Sequence, residues 1–419
     1  MSDKYGLTCA WCGRPHDPDT ETRCFVCDGP LRVDVDLRPL LGRGAANLRR
    51  PEYAGVWAWL DLLPIVDRDA IVSLGEGRTP LLAAPRLGAA LGVDSLWLKD
   101  ETRNPTGSFK DRMLTVGVSR AVERGRSVVA VQSSGNVGAA AAAYAARAGL
   151  EAKIFVPRTA PPEKILQAQM YGADVYRIDH DSPVDIFELL QWACAEFGWT
   201  LVSTAAIYNP FTLEGAKTIA YEIAEATAFD VPDWVVVPVG GGGNIGSVWR
   251  GFLDLRALGL VTRLPRMVGV QAAGCAPFVD AIHLGRRAQD ALTHKWPDMR
   301  TIAGAIADDV VFDAHVALPA VRDSGGTAVA VPDEDTLAME ALVARTEGLF
   351  VEPAAATTLA ATKRLAASGV IRPGDEVVCL MTGTGLKDPG AASRLVTPVV
   401  TMPLDRAAVA AHVRAPGRL

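Results

Sequence analysis

A lysine at the start of a predicted helix is the first residue whose position suggests chemistry. In residues 98–113, LKDETRNPTGSFKDRM, a strand is followed by a turn over residues 104–107, and Ser108 is placed to cap a helix that begins at Phe109. Lys110 then lies in the first helical turn, where the helix dipole and the unpaired amides disfavour a cation. A neutral amine attacks aldehydes, so this position favours Schiff-base chemistry, although most lysines in a first turn are solvated surface residues.

Two segments between a strand and a helix are suited to bind anions. In residues 131–149, Ser133, Ser134, Gly135 and Asn136 open an alanine-rich helix, and backbone N–H groups there suit a carboxylate or a phosphate. An ordinary capped helix explains this first segment equally well. In residues 234–252, four glycines allow a phosphate to approach the backbone closely, and the next residue completes the cradle. These five residues are Gly240, Gly241, Gly242, Gly243 and Asn244.

The same glycines raise a second interpretation, a dinucleotide site. Gly241, Gly243 and Gly246 satisfy the pattern GxGxxG. That fingerprint needs an acidic residue near the end of the next strand to hold the ribose, and RMVGVQAAG offers Gln271 instead. The sequence therefore disfavours a nicotinamide or flavin dinucleotide.

A hydroxyl and a carboxylate follow later in the chain. Residues 376–389, EVVCLMTGTGLKDP, deliver Thr382 into a glycine-flanked loop at the end of a strand, from which its hydroxyl can point into a cleft. Glu352 precedes a proline, and an acid at that position starts a helix well. Capping suffices to explain this glutamate, and a supporting role near a bound ligand is the alternative.

Four cysteines near the N-terminus have the spacing of metal ligands. Cys9, Cys12, Cys24 and Cys27 form two CxxC knuckles, which together complete a tetrahedral four-sulfur set suited to Zn²⁺. With no open coordination position, such an ion is structural. The alternative is a ribbon whose cysteines serve only in packing or oxidise in vitro.

Short β-rich runs that alternate with helical patterns must position these residues. Runs begin at residues 95, 127, 151, 234, 266, 327 and 376, with amphipathic stretches between several of them. This alternation predicts an α/β fold with parallel-rich sheets covered by helices, in two lobes, with ligands in the cleft at the strand ends. We expect a zinc ribbon at 1–40, a larger domain at 41–115 and 205–400, a smaller domain at 116–204, and a tail at 401–419. Trp57 and Trp59 suggest a further helix.

Composition and charge exclude several classes of protein. The chain has 419 residues, 49% of them apolar and 21% charged, which is typical of a globular protein. Its 42 basic and 48 acidic residues leave a net charge of −6, which gives no electrostatic footprint for a nucleic acid or an anionic membrane. No window approaches the roughly 18 apolar residues of a membrane span. We expect a cytoplasmic protein that binds a small molecule.

Seven segments, in this order along nearly the whole chain, resemble the threonine synthase family within the fold-type II pyridoxal phosphate enzymes, the group of the tryptophan synthase β-chain. They are GEGRTPL at 75, NPTGSFKDR at 104, SSGN at 133, NPFTLEGAKT at 209, VPVGGGGNIG at 237, FVEPAAA at 350 and TGTGLKDP at 382. Several threonine synthases also carry a two-knuckle ribbon at the N-terminus. The resemblance implies a two-lobed lyase, expected to be a homodimer, that converts O-phosphohomoserine to threonine by γ-elimination and addition of water at Cβ.

The resemblance also implies a role for each matched residue. Lys110 binds the aldehyde of pyridoxal 5'-phosphate and carries the proton, with Phe109 beside it. Asn136 bonds the ring hydroxyl, and Thr382 faces the pyridine nitrogen. By the same resemblance, the cofactor phosphate is bound by Gly240, Gly241, Gly242, Gly243 and Asn244. The substrate, a small amino acid, is bound by Ser133, Ser134, Gly135 and Thr212.

Three departures from the family pattern leave the substrate open. Thr212 stands where threonine synthases usually have an arginine, and Gly241 stands where they usually have an asparagine, both of which help to bind the substrate phosphate. Ser134 replaces a more usual threonine. Loss of an arginine removes a strong fork of hydrogen bonds to a dianion. A threonine or serine dehydratase, a β-replacement enzyme such as cysteate synthase, and a sensor that binds the cofactor without turnover therefore stay as alternatives.

Overall fold

The computed structural model describes residues 4–18, 23–180 and 182–414. Three strands near the N-terminus form a small antiparallel sheet in the order β2-β1-β3, which is the ribbon. The strands in chain order are β1 (Tyr5–Cys9), β2 (Pro15–His16), β3 (Leu31–Val35), β4 (Leu81–Ala83), β5 (Ser95–Asp100), β6 (Val128–Gln132), β7 (Glu151–Pro157), β8 (Asp174–Ile178), β9 (Thr200–Leu201), β10 (Trp234–Pro238), β11 (Arg266–Ala272), β12 (Thr327–Val331) and β13 (Glu376–Met381).

Two further sheets form the body of the molecule. The larger has the strand order β12-β11-β10-β13-β5-β4 and is parallel except for β4, which pairs antiparallel with β5. The smaller has the order β8-β7-β6-β9 and is parallel throughout. All five residues of β10 are buried, as expected for a central strand covered on both faces. The two sheets form the two lobes.

Helices cover both sheets. In α4, residues 138–145 are all buried, because a run of alanines lets this helix lie flush against α3 and α5. The α-helices in chain order are α1 (Ala45–Leu48), α2 (Pro85–Leu91), α3 (Lys110–Glu123), α4 (Asn136–Ala148), α5 (Pro162–Met170), α6 (Pro183–Phe197), α7 (Thr212–Ala216), α8 (Thr218–Ala226), α9 (Gly243–Ala257), α10 (Pro277–His283), α11 (Ala288–Thr293), α12 (Ala314–Arg322), α13 (Asp333–Glu347), α14 (Pro353–Ala367), α15 (Pro389–Ala392) and α16 (Arg406–Val413). Short 3₁₀ segments are Arg38–Leu40, Gly55–Leu62, Arg68–Ala70, Glu101–Arg103, Gly304–Ile306 and Gly385–Lys387.

A buried network of ion pairs anchors α3 to the larger sheet. Arg112 is fully buried, and its guanidinium donates to Glu101 at 2.6 Å and to Glu222 at 2.7 Å. Lys99, on β5, donates to the second oxygen of Glu222 at 2.7 Å. Burial alone would raise the pKa of Glu222, but Arg112 and Lys99 outweigh burial and hold that pKa below its usual range. The network fixes the helix on which Lys110 is the first residue.

The seven strands predicted from sequence are all present, and each begins within a residue of the predicted position. The segment around Trp57 and Trp59 is a buried 3₁₀ stretch with a kink at Trp59 rather than an α-helix. The two lobes follow the predicted fold class, while the domain boundaries given above stay a prediction. Within the described part of the chain, no helix combines the length and the apolar character that crossing a membrane requires.

Candidate active site

Lys110 is the first residue of α3 and lies beside an aromatic ring. Its Nζ is 3.2 Å from Oγ1 of Thr204 and 4.6 Å from the centroid of the Phe109 ring. Burial lowers the pKa of Lys110 to about 8, although carboxylates nearby oppose this shift. A large fraction of the amine is therefore neutral near pH 8, as a nucleophile or a proton carrier requires.

The expected cap of α3 is wrong. The N-cap residue is Phe109, no side chain caps the helix, and Oγ of Ser108 is buried without a hydrogen-bond partner in the described chain. The reason lies in the backbone, because Ser108 forms a bridge with Gly383 and the amide of Phe109 donates to the carbonyl of Thr382 at 2.9 Å. This pairing brings the Thr382 loop next to Lys110.

The glycine-rich loop connects β10 to α9, and neighbouring side chains approach its backbone so closely that a side chain on these glycines would not fit. Gly242 has φ +102°, a conformation that residues with a side chain rarely adopt. A Cβ added at Gly240 would lie 2.7 Å from Oδ2 of Asp308, and one added at Gly243 would lie 2.6 Å from Oδ2 of Asp313. In Asn244, both side-chain amide atoms are buried without a partner among the described residues. A loop of glycines, a helix N-terminus and an unpaired side-chain amide fit the phosphate of the implied cofactor.

Two carboxylates beside this loop were not found by sequence reasoning. Oδ2 of Asp308 lies 3.4 Å from a Cβ added at Gly241, and Asp313 accepts a hydrogen bond from the amide of Ala206 at 2.6 Å. Burial raises the pKa of Asp308, and it raises the pKa of Asp313 to about 7. Both carboxylates act electrostatically on Lys110. Neither lies in a recognisable motif, so only their placement in space reveals them.

Glu352 joins two residues that sequence analysis placed at the cofactor ring. One carboxylate oxygen accepts from Nδ2 of Asn136 at 3.0 Å, and the other accepts from Oγ1 of Thr382 at 3.2 Å. The side chain is 4% exposed, burial raises its pKa, and it makes no capping bond to α14. Of the two roles considered for Glu352, these contacts favour support of the site over capping by the side chain. Its proximity to Asn136 and Thr382, which are 216 and 30 residues away in sequence, gave no sequence signal.

The remaining predicted substrate residues fall into two groups. Ser133, Ser134 and Gly135 lie at the N-terminus of α4, where Oγ of Ser133 accepts from the amide of Gly135 at 3.1 Å. Thr212 is fully buried, and its hydroxyl donates to the carbonyls of Ser203 at 2.8 Å and Asn209 at 3.0 Å. This placement gives no support to contact between Thr212 and a substrate. Gln271 stands where a dinucleotide site would need an acidic residue. Its side-chain oxygen accepts a hydrogen bond from the amide of Phe278 at 2.8 Å.

Polar contacts cross the cleft between the lobes. Nζ of Lys164, on α5, lies 2.9 Å from a carboxylate oxygen of Asp388 in the opposite lobe. The neighbouring Lys387 donates to Oε1 of Gln167 at 2.8 Å, and Nε2 of Gln167 donates to the carbonyl of Thr106 at 3.3 Å. These bonds tie the smaller lobe to two loops that border Lys110.

The four ribbon cysteines converge on one point. Their Sγ atoms all lie within 4.8 Å of one another, with 3.5 Å between those of Cys9 and Cys27 and 3.7 Å between those of Cys12 and Cys24. All four are free of disulfides. Four thiol sulfurs at this spacing fit a tetrahedral structural Zn²⁺.

Comparisons with known proteins place this architecture in a class. The family model described as pyridoxal-phosphate dependent enzyme matches residues 72–383. The processed form of threonine deaminase isoform 2 from Solanum lycopersicum is 22% identical, with a TM-score of 0.65 over 76% of this chain and 87% of that one. An O-ureido-L-serine synthase is 21% identical, with a TM-score of 0.63 over 83% of this chain and 100% of that one. The fold and the site thus define a fold-type II pyridoxal phosphate-dependent enzyme.

Curated relatives narrow this class. The threonine synthase of Methanocaldococcus jannaschii is 41% identical over 92% of this chain and 94% of that protein. The threonine synthases of Methanosarcina acetivorans and Mycobacterium leprae are 40% and 41% identical, over 92% and 84% of this chain and 93% of each relative. The chain belongs to the threonine synthase family of pyridoxal phosphate-dependent lyases, which confirms the predicted family.

Proposed function

We propose that this chain converts O-phosphohomoserine to threonine, with pyridoxal 5'-phosphate at Lys110. The observation that carries the proposal is Lys110, a half-buried lysine with a lowered pKa at the N-terminus of α3, in a chain 41% identical to a threonine synthase. Lys110 is proposed to hold the cofactor and to move the substrate's Cα proton. When bound, the cofactor supplies an electron sink that makes this proton acidic.

Other residues of the site are proposed to bind and orient the reactants. The phosphate of the cofactor is assigned to the backbone of Gly240, Gly241, Gly242 and Gly243 and to Asn244. The N-terminus of α4, with Ser133, Ser134 and Gly135, is suited to the substrate carboxylate, because unpaired amides and the helix dipole favour an anion there. Asn136 and Thr382 are assigned to the ring, and Glu352 would fix the orientation of both side chains.

The proposal has three further parts. The ribbon cysteines hold a structural Zn²⁺, since four thiol sulfurs leave no ligand position open for catalysis. The resemblance to threonine synthases further supports a homodimer and a cytoplasmic location. The partner of the site is a small amino acid rather than a nucleic acid or a membrane.

A substrate without phosphate is the second candidate, and one observation favours it. Thr212 stands where threonine synthases usually have an arginine that helps to bind the substrate phosphate, and its hydroxyl already donates to the carbonyls of Ser203 and Asn209. This position therefore offers a dianion no fork of charge-assisted hydrogen bonds. A dehydratase or a β-replacement enzyme would not need one.

Product analysis tests both candidates. The purified protein is incubated with O-phosphohomoserine, L-threonine, L-serine or O-phosphoserine, and phosphate, ammonia and amino acids are measured. We expect equimolar phosphate and threonine from O-phosphohomoserine, and loss of both products and of the cofactor absorbance in Lys110→Ala. Release of 2-oxobutyrate from threonine, without any turnover of O-phosphohomoserine, would contradict the first candidate and support the second. A coloured protein that is inert with every substrate would support a sensor.

A further inference from the structure

The hydrophobic core of the ribbon contains one residue from the body of the protein. Phe211 is 5% exposed, and in the described chain it is the one buried member of this core that lies outside the ribbon. Its ring completes a cluster that includes two of the four thiols of the metal site. The other buried members are Tyr5, Leu7, Cys9, Cys24, Leu31 and Val33.

Two arginines strengthen this contact. The guanidinium of Arg120 lies 4.9 Å from the centroid of the Phe211 ring and 5.5 Å from that of Tyr5, and it donates to the carbonyl of Pro18 at 3.2 Å. Arg250, on α9, donates to the carbonyl of Val33 at 2.5 Å. The ribbon therefore contacts both the Phe211 segment and the helix whose first residues form the glycine cradle.

Phe211 lies near the C-terminal end of a segment, residues 203–212, that is held by local hydrogen bonds. The amide of Phe211 donates to Oδ1 of Asn209 at 3.1 Å, and Nδ2 of Asn209 donates to the carbonyl of Leu201 at 3.0 Å. Thr212 binds the carbonyls of Ser203 and Asn209, so it closes the segment on itself. These bonds connect Phe211, through Asn209 and Thr212, to Ser203 at the start of the segment.

The near end of the same segment lies in the active site. Oγ1 of Thr204 is 3.2 Å from Nζ of Lys110, and the carbonyl of Thr204 lies 3.3 Å from a Cβ added at Gly243. The amide of Ala206 donates to Asp313 at 2.6 Å. The segment therefore forms one wall of the space between the amine and the cradle.

We propose that Phe211 is a positioning residue through which the ribbon holds residues 203–212 against Lys110, so that metal binding at the four cysteines and cofactor binding at Lys110 are energetically coupled. The inference rests on the metal and the cofactor of the proposed function, but not on its substrate. A metal-free ribbon loses the order of its thiols and with it the packing around Phe211. Thermodynamic reciprocity then requires each ligand to change the affinity of the other by the same factor.

Cofactor affinity in three variants tests the role of Phe211. The dissociation constant of pyridoxal 5'-phosphate is measured by absorbance on the full chain, before and after treatment with a metal chelator. We expect Phe211→Ala to weaken cofactor binding about tenfold, within the usual range of coupling between sites, and Phe211→Leu to restore most of it. Phe197→Ala is the matched control, because this ring is 57% exposed at the end of α6, outside both the ribbon and residues 203–212, and it should leave the affinity unchanged.

Removal of the metal with a chelator tests the coupling between the two sites directly. Removal of the metal should weaken cofactor binding about tenfold in the unsubstituted chain and have little further effect in Phe211→Ala, because both changes break the same link. In the reciprocal measurement, competition with a chromophoric chelator should show Zn²⁺ bound more tightly, by the same factor, once the cofactor is present. A general loss of stability would not produce this equality.

Two results would overturn the inference. One is a metal-free chain that keeps its circular dichroism spectrum and binds the cofactor with an unchanged dissociation constant. The other is a Phe211→Ala protein with a normal dissociation constant in both metal states. If Phe211→Ala does not fold, Phe211→Leu and the reciprocal Zn²⁺ measurement decide the question. No turnover is measured, so failure to form threonine affects only the proposed function.

Discussion

The surroundings of Lys110 and Lys153 shift the pKa values of these two lysines in opposite directions. Burial lowers the pKa of Lys110 to about 8. Hydrogen bonds to Asp174 at 2.6 Å and Glu151 at 2.7 Å raise the pKa of Lys153 above its usual range. The amine of Lys110 therefore becomes neutral near pH 8, whereas that of Lys153 stays charged to a higher pH than an ordinary lysine, whose pKa is about 10.4.

The expected result is a pH-dependent difference in labelling. In cofactor-free protein, reductive methylation of Lys110 should rise with a midpoint near pH 8, because only the neutral amine reacts with formaldehyde. Lys153 should remain poorly labelled across the same range. Peptide mass spectrometry after short exposures measures both sites. A midpoint for Lys110 near that of a free lysine side chain would show that burial does not depress its pKa in solution.

Residues within motifs could be predicted from the sequence, but contacts between motifs could not. Lys110, Asn136 and Thr382 were found because each stands at the junction of a strand or turn with a helix or loop. Glu352 and Asp308 act through partners distant in the chain, and no local pattern encodes such a pair. The placement of Thr212 was equally hidden, because its position in a motif says nothing about which way its hydroxyl points.

At the scale of elements, the buried ion pairs of Arg112 hold α3 against the larger sheet. Two carboxylates, Glu101 and Glu222, face this one guanidinium in a site without solvent, and Lys99 balances the remaining charge. Removal of one partner from such a network leaves uncompensated buried charge. Arg112, two residues after Lys110, therefore fixes the position of the first turn of α3.

Arg112→Met should lower the free energy of unfolding by about 3–5 kcal/mol, since it leaves two buried carboxylates short of a partner. Denaturant titration of the cofactor-free protein measures this change. Arg287→Met, which removes a 76% exposed arginine paired with Asp290, is the control and should change stability by about 0–1 kcal/mol. Because Glu222 has a lowered pKa, its contribution is present above the pKa of an unfolded glutamate, about 4.3, and fades only as pH falls through the lower folded value. Equal effects of the two substitutions would contradict this account of α3.

Elements were predictable where burial imposes a simple pattern. Central parallel strands such as β10 are apolar on both faces, so they stand out as continuous runs. Strands β4 and β9 have three and two residues and lie at sheet edges, and neither length nor composition distinguishes them from loops. The 3₁₀ segment around Trp59 has the apolar content of a helix, but a kink interrupts the periodicity on which an α-helical prediction depends.

At the scale of the molecule, two lobes share one cleft, and the Lys164–Asp388 ion pair is a polar link across it. Both side chains are partly exposed, 28% and 22%, so the pair contributes little to global stability. Its position beside the loop that follows β13 makes it relevant to opening of the cleft instead.

Lys164→Asp should speed release of the cofactor about three- to tenfold, because a 2.9 Å attraction becomes a repulsion between like charges. Stopped-flow dilution into a scavenger of free cofactor measures the release rate. The double variant Lys164→Asp, Asp388→Lys restores opposite charges and should recover most of the original rate. If the double variant releases cofactor as fast as the single one, the pair does not hold the lobes together.

The insertion of Phe211 into the ribbon also has a consequence for biosynthesis. All cysteines of the ribbon leave the ribosome long before Phe211 is translated. For most of translation the N-terminal module thus lacks a ring that its finished core contains. Ions can reach its sulfurs during that interval, whereas the hydrophobic core around Cys9 and Cys24 is complete only once about half of the polypeptide has emerged.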